Sequence, residues 1–284
     1  MIQEILPDKS KELFNYCLAT SVNTPYYYPV NFEHWQKSMF SDCDYDGHPL
    51  FSELKTFAFV NNGAIKGYIQ WGLSSFSFNE NGEKDYGAKY GVIRALHYMQ
   101  NTKCETALLN KATEYFDMNN VKKRHAFFHY LGMSCYARQG KLHESGFYME
   151  ELLRAYSFQK EHENVYFSRC LTENLPADIP GITFAYSGDQ QSVKFSRDGE
   201  EIGGCELYFV PGSKVCFLKL ICIHQSLSRQ GLGTKCMYKL FSDLRQKGYV
   251  RIDTDTTDSN VHAQKYYEKT GFINRGIMRS YCTD

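Results

Sequence analysis

Gly231 and Gly233 stand between a strand-like run, 215–223, and a helix-like stretch, 235–247, whose apolar positions are Met237, Leu240, Phe241 and Leu244. Glycines at such a junction let the backbone approach a ligand closely. The N-terminus of the following helix adds unpaired N–H groups and the positive end of a dipole. Arg229 and Thr234 contribute a charge and a hydroxyl, so Arg229, Gln230, Gly231, Leu232, Gly233 and Thr234 together suit a diphosphate. A second group follows a strand at 250–254. Asn260 stands at the mouth of a helix as an N-cap or ligand partner. Ala263 is small where something must pass close by, and Tyr267, one turn further, carries a phenol that can donate a proton. Gly271 ends this helix and Phe272 opens the next strand.

The elements that must hold these residues occur twice. Strand-like runs at 56–60, 64–71 and 91–99 are echoed at 192–196, 202–210 and 215–223, with polar-glycine turns that suit antiparallel hairpins. Asn61-Asn62-Gly63 parallels Asp198-Gly199, and Leu152 to Phe158 parallels Tyr266 to Phe272. Helical spacing appears at Leu13, Phe14, Cys17 and Leu18, and again at Leu108, Leu109, Ala112, Tyr115 and Phe116. Pro176, Pro180 and Gly181 mark a seam. The expected division is a degenerate unit at 1–170, a linker at 171–181 and a second unit at 182–284. The first half has two probable opening helices that the second half lacks.

The asparagine-to-Gly-Phe pattern, with the glycine loop before it, resembles the GNAT superfamily of acetyl-CoA-dependent N-acetyltransferases over about 192–281. The resemblance implies two α/β (α+β) mixed-sheet units in tandem, the first degenerate, with acetyl-CoA as cosubstrate and no metal. Pantetheine would pair with Leu220, Ile221, Cys222 and Ile223 where neighbouring strands splay apart. The pyrophosphate would sit on Arg229–Thr234, and Asn260, Ala263 and Tyr266 would contact the cofactor. Tyr267 would protonate the departing thiolate, and backbone N–H groups at 221–223 would stabilise the oxyanion. An amine would attack the thioester directly. Asp253, Asp255 and Glu206 are the carboxylates expected in the cleft, Asp255 first among them, with His224 past the reacting centre. The family's loop usually opens with Arg or Gln three residues before its first glycine. Here that position is Ser228, with Arg229 beside it.

The first half has no glycine between Gly91 and Gly132, so its turn at 101–105 has no phosphate cradle. Leu153 takes the tyrosine position and Ser157 the glycine position. The expected role of this half is to supply a wall for the acceptor, with Tyr26-Tyr27-Tyr28 a packed loop or the floor of that pocket. The rival reading is a non-catalytic acyl-CoA sensor or interaction module.

Composition narrows the partners. Lys plus Arg equals Asp plus Glu at 32 each, which leaves no strong electrostatic footprint for nucleic acid or an anionic membrane. Ten cysteines without a CxxC pair do not make a disulfide scaffold and read as free thiols in a reducing cytoplasm. Cys216, Cys222 and Cys236 read as small core residues. His125 and His129 have i, i+4 spacing without a glutamate between them, and read as packed or surface histidines. Asp253, Asp255 and Asp258 lack the glycine and closing glutamate of an EF-hand. Neither the oligomeric state nor the acceptor's identity is legible.

Overall fold

The computed structural model describes residues 1–21, 24–44, 46–79, 83–99, 104–171 and 179–283. The chain divides into two compact units, Met1–Glu163 with Met278–Asp284, and Asn164–Ile277.

In the first unit β1 (Ile2–Glu4) is followed by helices α1 (Lys11–Thr20) and α2 (Phe32–Phe40). Strands β2 (Phe51–Asn61) and β3 (Ala64–Ser74) form a hairpin, the short β4 (Ser77–Phe78) and β5 (Lys84–Asp85) pair with each other, and β6 (Gly91–Tyr98) pairs with β3. Helix α3 (Glu105–Met118) buries Leu108, Leu109, Ala112 and Phe116, the stripe its spacing predicts. Then come β7 (Arg124–Ala126), β8 (Leu142–His143) and α4 (Glu150–Ala155). The expected loop at 101–105 lies mostly outside the described residues.

Strand β9 (Gln159–Cys170) crosses the unit boundary. The second unit continues with β10 (Ile182–Tyr186), β11 (Ser192–Arg197), β12 (Glu200–Phe209), β13 (Val215–Ile223), α5 (Leu232–Gln246), β14 (Arg251–Thr257), α6 (Val261–Lys269) and β15 (Ile273–Cys282). Strands β10 to β13 form an antiparallel meander, β14 joins β13 in parallel, and Asn164–Cys170 of β9 pairs antiparallel with β14. The end of β15 belongs to the first unit, where Tyr281 pairs with Ala126 and Met278 with His143. Strand pairing thus assigns 164–170 to the second unit and 278–284 to the first, whereas the expected boundaries follow the composition of the seam. Of that seam, 172–178 lies outside the described residues.

Helix α5 is amphipathic, and Leu232, Cys236, Met237, Leu240, Phe241 and Leu244 bury one face against Phe167, Val193, Phe195, Leu207 and Leu218. At roughly 1.5–3 kcal/mol for each large apolar side chain removed from water, this face fixes the helix on the sheet. The helix begins at Leu232, three residues before its expected start, because left-handed Gly231 (φ 76°) ends the preceding loop there.

Both hairpin turns expected from polar-glycine pairs are present. Asn62 and Gly63 have φ 51° and 74°, and Asp198 and Gly199 have 52° and 88°. Two consecutive positive φ values are the requirement of a type I′ turn, which matches the twist of the flanking strands.

Candidate active site

Strand β13 carries the defining irregularity of the second unit. Glu206 pairs with Leu220 but Leu207 pairs with Leu218, so Lys219 is an extra residue and the strand bulges. The parallel pairing with β14 runs from Val215 opposite Arg251 to Leu218 opposite Thr254 and then stops. The Thr254 hydroxyl donates to the Leu218 carbonyl at 2.9 Å, marking the last rung. Past it the two strands part. The His224 amide donates to Ile202 on β12, so by alternation along the strand the peptide groups of Ile221 and Ile223 face the gap.

This gap opens into a cavity of 460 Å³ whose walls include Ile221, Cys222, Ile223, Ser228, Gly233 and His262. Ala263, Tyr266 and Tyr267 of α6 close the other side. Gly203 lets β12 approach from behind, since a Cβ there would lie 2.2 Å from the Cys222 carbonyl oxygen.

The loop from β13 to α5 winds through left-handed Arg229 (φ 61°) and Gly231 (φ 76°). Among the described residues no side chain caps α5, and its first turn has no acidic residue. The amides of Leu232, Gly233 and Thr234 therefore have no acceptor within the helix. Arg229, Gln230 and Gly231 are exposed, and a Cβ on Gly233 would meet Ile223 Cγ1 and the Tyr266 hydroxyl at 3.6 Å. Tyr266 donates its phenol proton to the Gly233 carbonyl at 2.7 Å, tying α6 to the start of α5.

Helix α6 is fixed at both ends. Asn260 is its N-cap, with the side-chain oxygen accepting from the Ala263 amide at 3.1 Å. At the other end the Phe272 amide donates to the Tyr267 carbonyl at 3.0 Å and Gly271 to Glu268 at 2.9 Å, with Gly271 at φ 84°. The Tyr267 and Phe272 rings lie 5.5 Å apart, completing a Schellman motif. Tyr267 is buried, also touching Phe167 at 5.5 Å between ring centroids. Burial, with the charge of Asp255, pushes its phenol pKa up, and the Thr254 hydroxyl opposes them.

The carboxylates differ. Asp255 is half-buried and accepts from Asn164 Nδ2 at 2.8 Å. Asp253 is fully buried, accepting from the Tyr166 hydroxyl at 2.8 Å and lying 3.0 Å from Arg251. Exposed Glu206 pairs with Lys219, the bulge residue, at 3.1 Å. His224 is exposed at the end of β13. One reading is corrected: Cys216 and Cys236 are buried core residues, but Cys222 is exposed on the cavity wall, because the bulge and the parting of the strands leave that stretch uncovered.

Sequence reading missed Thr254, Lys219 and Asn164. Thr254 follows the aspartate it alternates with, and its role needs the register. Asn164 lies far upstream, and no local signal points to it.

The first unit repeats the split strand pair. Strands β6 and β7 are parallel from Gly91 opposite Arg124 to Ile93 opposite Ala126, and the bulge residue on β6 is Arg94. Here a buried cation lines the gap. Buried Arg94 donates to Asp42 at 2.6 Å and to the carbonyls of Leu131, Ser38 and Gly132. A cavity of 230 Å³ remains in this unit, walled by residues including Tyr26, Tyr27, Tyr68, Tyr136 and His97. Leu153 is fully buried where Tyr267 stands in the second unit.

Residues 149–272 match the family model described as Acetyltransferase (GNAT) family. The fold agrees along the whole length. A tandem GNAT protein from the clavulanic acid biosynthesis pathway, solved without AcCoA, superposes with a TM-score of 0.67 at 12% identity, covering 100% of this chain and 98% of that one. A GCN5-related N-acetyltransferase from Sphaerobacter thermophilus gives 0.63 at 9% identity, covering 100% and 95%. A GNAT-family acetyltransferase from Colwellia psychrerythraea gives 0.53 at 11% identity, covering 99% and 98%. No curated protein matches the sequence. Among the described residues no helix is long and apolar enough to cross a membrane.

Proposed function

We propose that the second unit binds acetyl-CoA and transfers its acetyl group to an amine. The observation that carries this reading is the parting of β13 and β14 after Leu218 and Thr254, into a cavity bordered by Gly233 and Tyr267. An extended pantetheine arm fits there as a partner for the peptide groups of Ile221 and Ile223. Its diphosphate would meet the uncapped amides of Leu232, Gly233 and Thr234, with Arg229 as the nearby charge. Asn260 and Ala263 leave room for the arm at the mouth of α6, and Tyr266 holds the two helix ends together.

In the reaction the amine nitrogen attacks the thioester carbon, and the oxyanion draws on the amides facing the gap. The carbon–sulfur bond then breaks and the thiolate takes the Tyr267 proton. A phenol is protonated at neutral pH, as a general acid requires, and burial raises its pKa further. Asp255, held by Asn164, is our candidate to accept the proton the amine loses. Buried Asp253 is committed to Tyr166 and Arg251.

Tyr267→Phe should lower acetyl transfer by about 10²–10⁴-fold while leaving acetyl-CoA binding intact. Thermal shift supplies the control, since acetyl-CoA at about 100 times its Kd should add about 2.7 kcal/mol of stability. Gly231→Asp with Gly233→Asp should abolish that shift. A shift without any thiol release from a panel of amines, in wild type and Tyr267→Phe alike, would favour a non-catalytic sensor instead. The absence of a shift in the wild type would overturn both readings.

A further inference from the structure

Outside the cofactor cleft, the first unit gathers an unusual set of imidazoles. His125, the middle residue of β7, is almost completely buried, and its Nδ1 lies 3.2 Å from the Glu161 carboxylate. His129 follows in the segment after β7, its ring 4.7 Å from that of His162 and nearly perpendicular to it at 80°. Glu161 and His162 are neighbours on β9. One donor atom each from His129, Glu161 and His162 lies within 4.8 Å of the other two. Among the described residues, two ring nitrogens in this group, His129 Nδ1 and His125 Nε2, are buried without a hydrogen-bond partner. A buried polar atom with nothing to bond is uncommon and calls for a specific cause, an ion among them.

We infer that His129, Glu161 and His162 form a binding site for a divalent first-row transition metal, with zinc the expected occupant. Two imidazoles and one carboxylate are a donor set zinc accepts, and a fourth position is left for water. Around one zinc ion the donors would stand about 3.3 Å apart, so side-chain rotation from the present spacing closes the triangle. Metal ligands must be deprotonated, so binding would be coupled to proton release. His125 is the positioning residue: its Nδ1 orients the Glu161 carboxylate from outside the donor triangle. A bound ion would fasten the segment after β7 to β9 within this unit, a structural role separate from acetyl transfer.

The second cluster of metal-type donors, Asp44, Asp46 and His48, does not compete on the same terms. The Lys84 ammonium sits 2.5 Å from Asp44 Oδ2, where a cation would sit.

The test uses full-length protein stripped with a chelator and then titrated with Zn²⁺ against a chromophoric competitor. Co²⁺ is added in parallel to read visible d–d bands. We expect one equivalent of Zn²⁺, a rise in Tm on loading, and a Co²⁺ spectrum of low-symmetry, four-coordinate type. His162 is exposed, so His162→Ala should fold normally when metal-free and yet weaken Zn²⁺ binding at least about tenfold. Glu161→Gln should do the same, and His48→Ala should leave binding unchanged. Less than one equivalent in the wild type would overturn the site. So would an affinity unaltered by His162→Ala, or a loss that follows His48→Ala.

Discussion

Tyr267 and Arg94 show how two side chains near equivalent strand splits come to opposite uses. Tyr267 is buried at the edge of an open cavity, its phenol pKa raised. Arg94 spends its donors on Asp42 and three carbonyls at the wall of its own unit's cavity. Both members of that ion pair are buried, Arg94 with 1% of its side chain exposed and Asp42 with 5%. Removing one partner leaves the other charge uncompensated in a dry site, which typically costs 3–5 kcal/mol. Asp42→Ala should therefore lose about 3–5 kcal/mol in denaturant unfolding. The double replacement Asp42→Ala with Arg94→Met should lose less than the sum of the two single changes, because neither charge is then left alone.

Helices α4 and α6 end in the same way. Phe158 donates to Leu153 at 3.1 Å and Phe272 to Tyr267 at 3.0 Å, and the residue before each phenylalanine is left-handed, Ser157 at φ 65° and Gly271 at φ 84°. The serine carries the strain that the glycine avoids. At Gly271 a second constraint is added, because a Cβ would lie 1.5 Å from Arg169 Nη1, which donates to the Thr270 carbonyl at 2.9 Å. Gly271→Ala should thus cost about 1–2 kcal/mol for the left-handed backbone and more for the displaced guanidinium. An Arg169→Ala background should shrink the second part only, which a double-mutant cycle in urea will read. Ser157→Gly, at the matching position of the first unit, should stabilise slightly or be neutral.

Across the whole molecule, buried tyrosines and histidines set the pH window of stability. Burial pushes the Tyr27 and Tyr98 phenols up to about 12, and Tyr16, Tyr26 and Tyr68 move the same way. In the unfolded chain these groups ionise near pH 10. Above that pH the unfolded state holds fewer protons than the native one, so stability falls as pH rises through the folded values. On the acid side burial pushes His97 down to about 4. Its neutral form contributes fully above about pH 6.5, and that contribution is lost as pH falls toward the folded value. Equilibrium unfolding from pH 4 to 11 should show a plateau between these limits. A stability that keeps rising above pH 10 would contradict the tyrosine burial.

What could be read without tertiary structure is what local chemistry fixes. Left-handed backbone at Gly231 and Gly271 favours glycine, the hairpin turns favour their polar-glycine pairs, and a helix mouth wants Asn260, so these positions announce themselves. The apolar stripe of α5 likewise declares which face it buries. The fold class and the family resemblance rest on these signals. Register was a different matter. The bulge at Lys219 and the end of pairing at Thr254 depend on which residues face each other across strands. The exposure of Cys222 follows from that and from nothing in its neighbours. The assignment of 164–170 and 278–284 to their units, the Asn164 contact with Asp255, and the meeting of His129 with Glu161 and His162 are all long-range. Local propensity carries no information about such meetings. Only the packed chain, where strand pairing and burial choose partners dozens of residues apart, decides them.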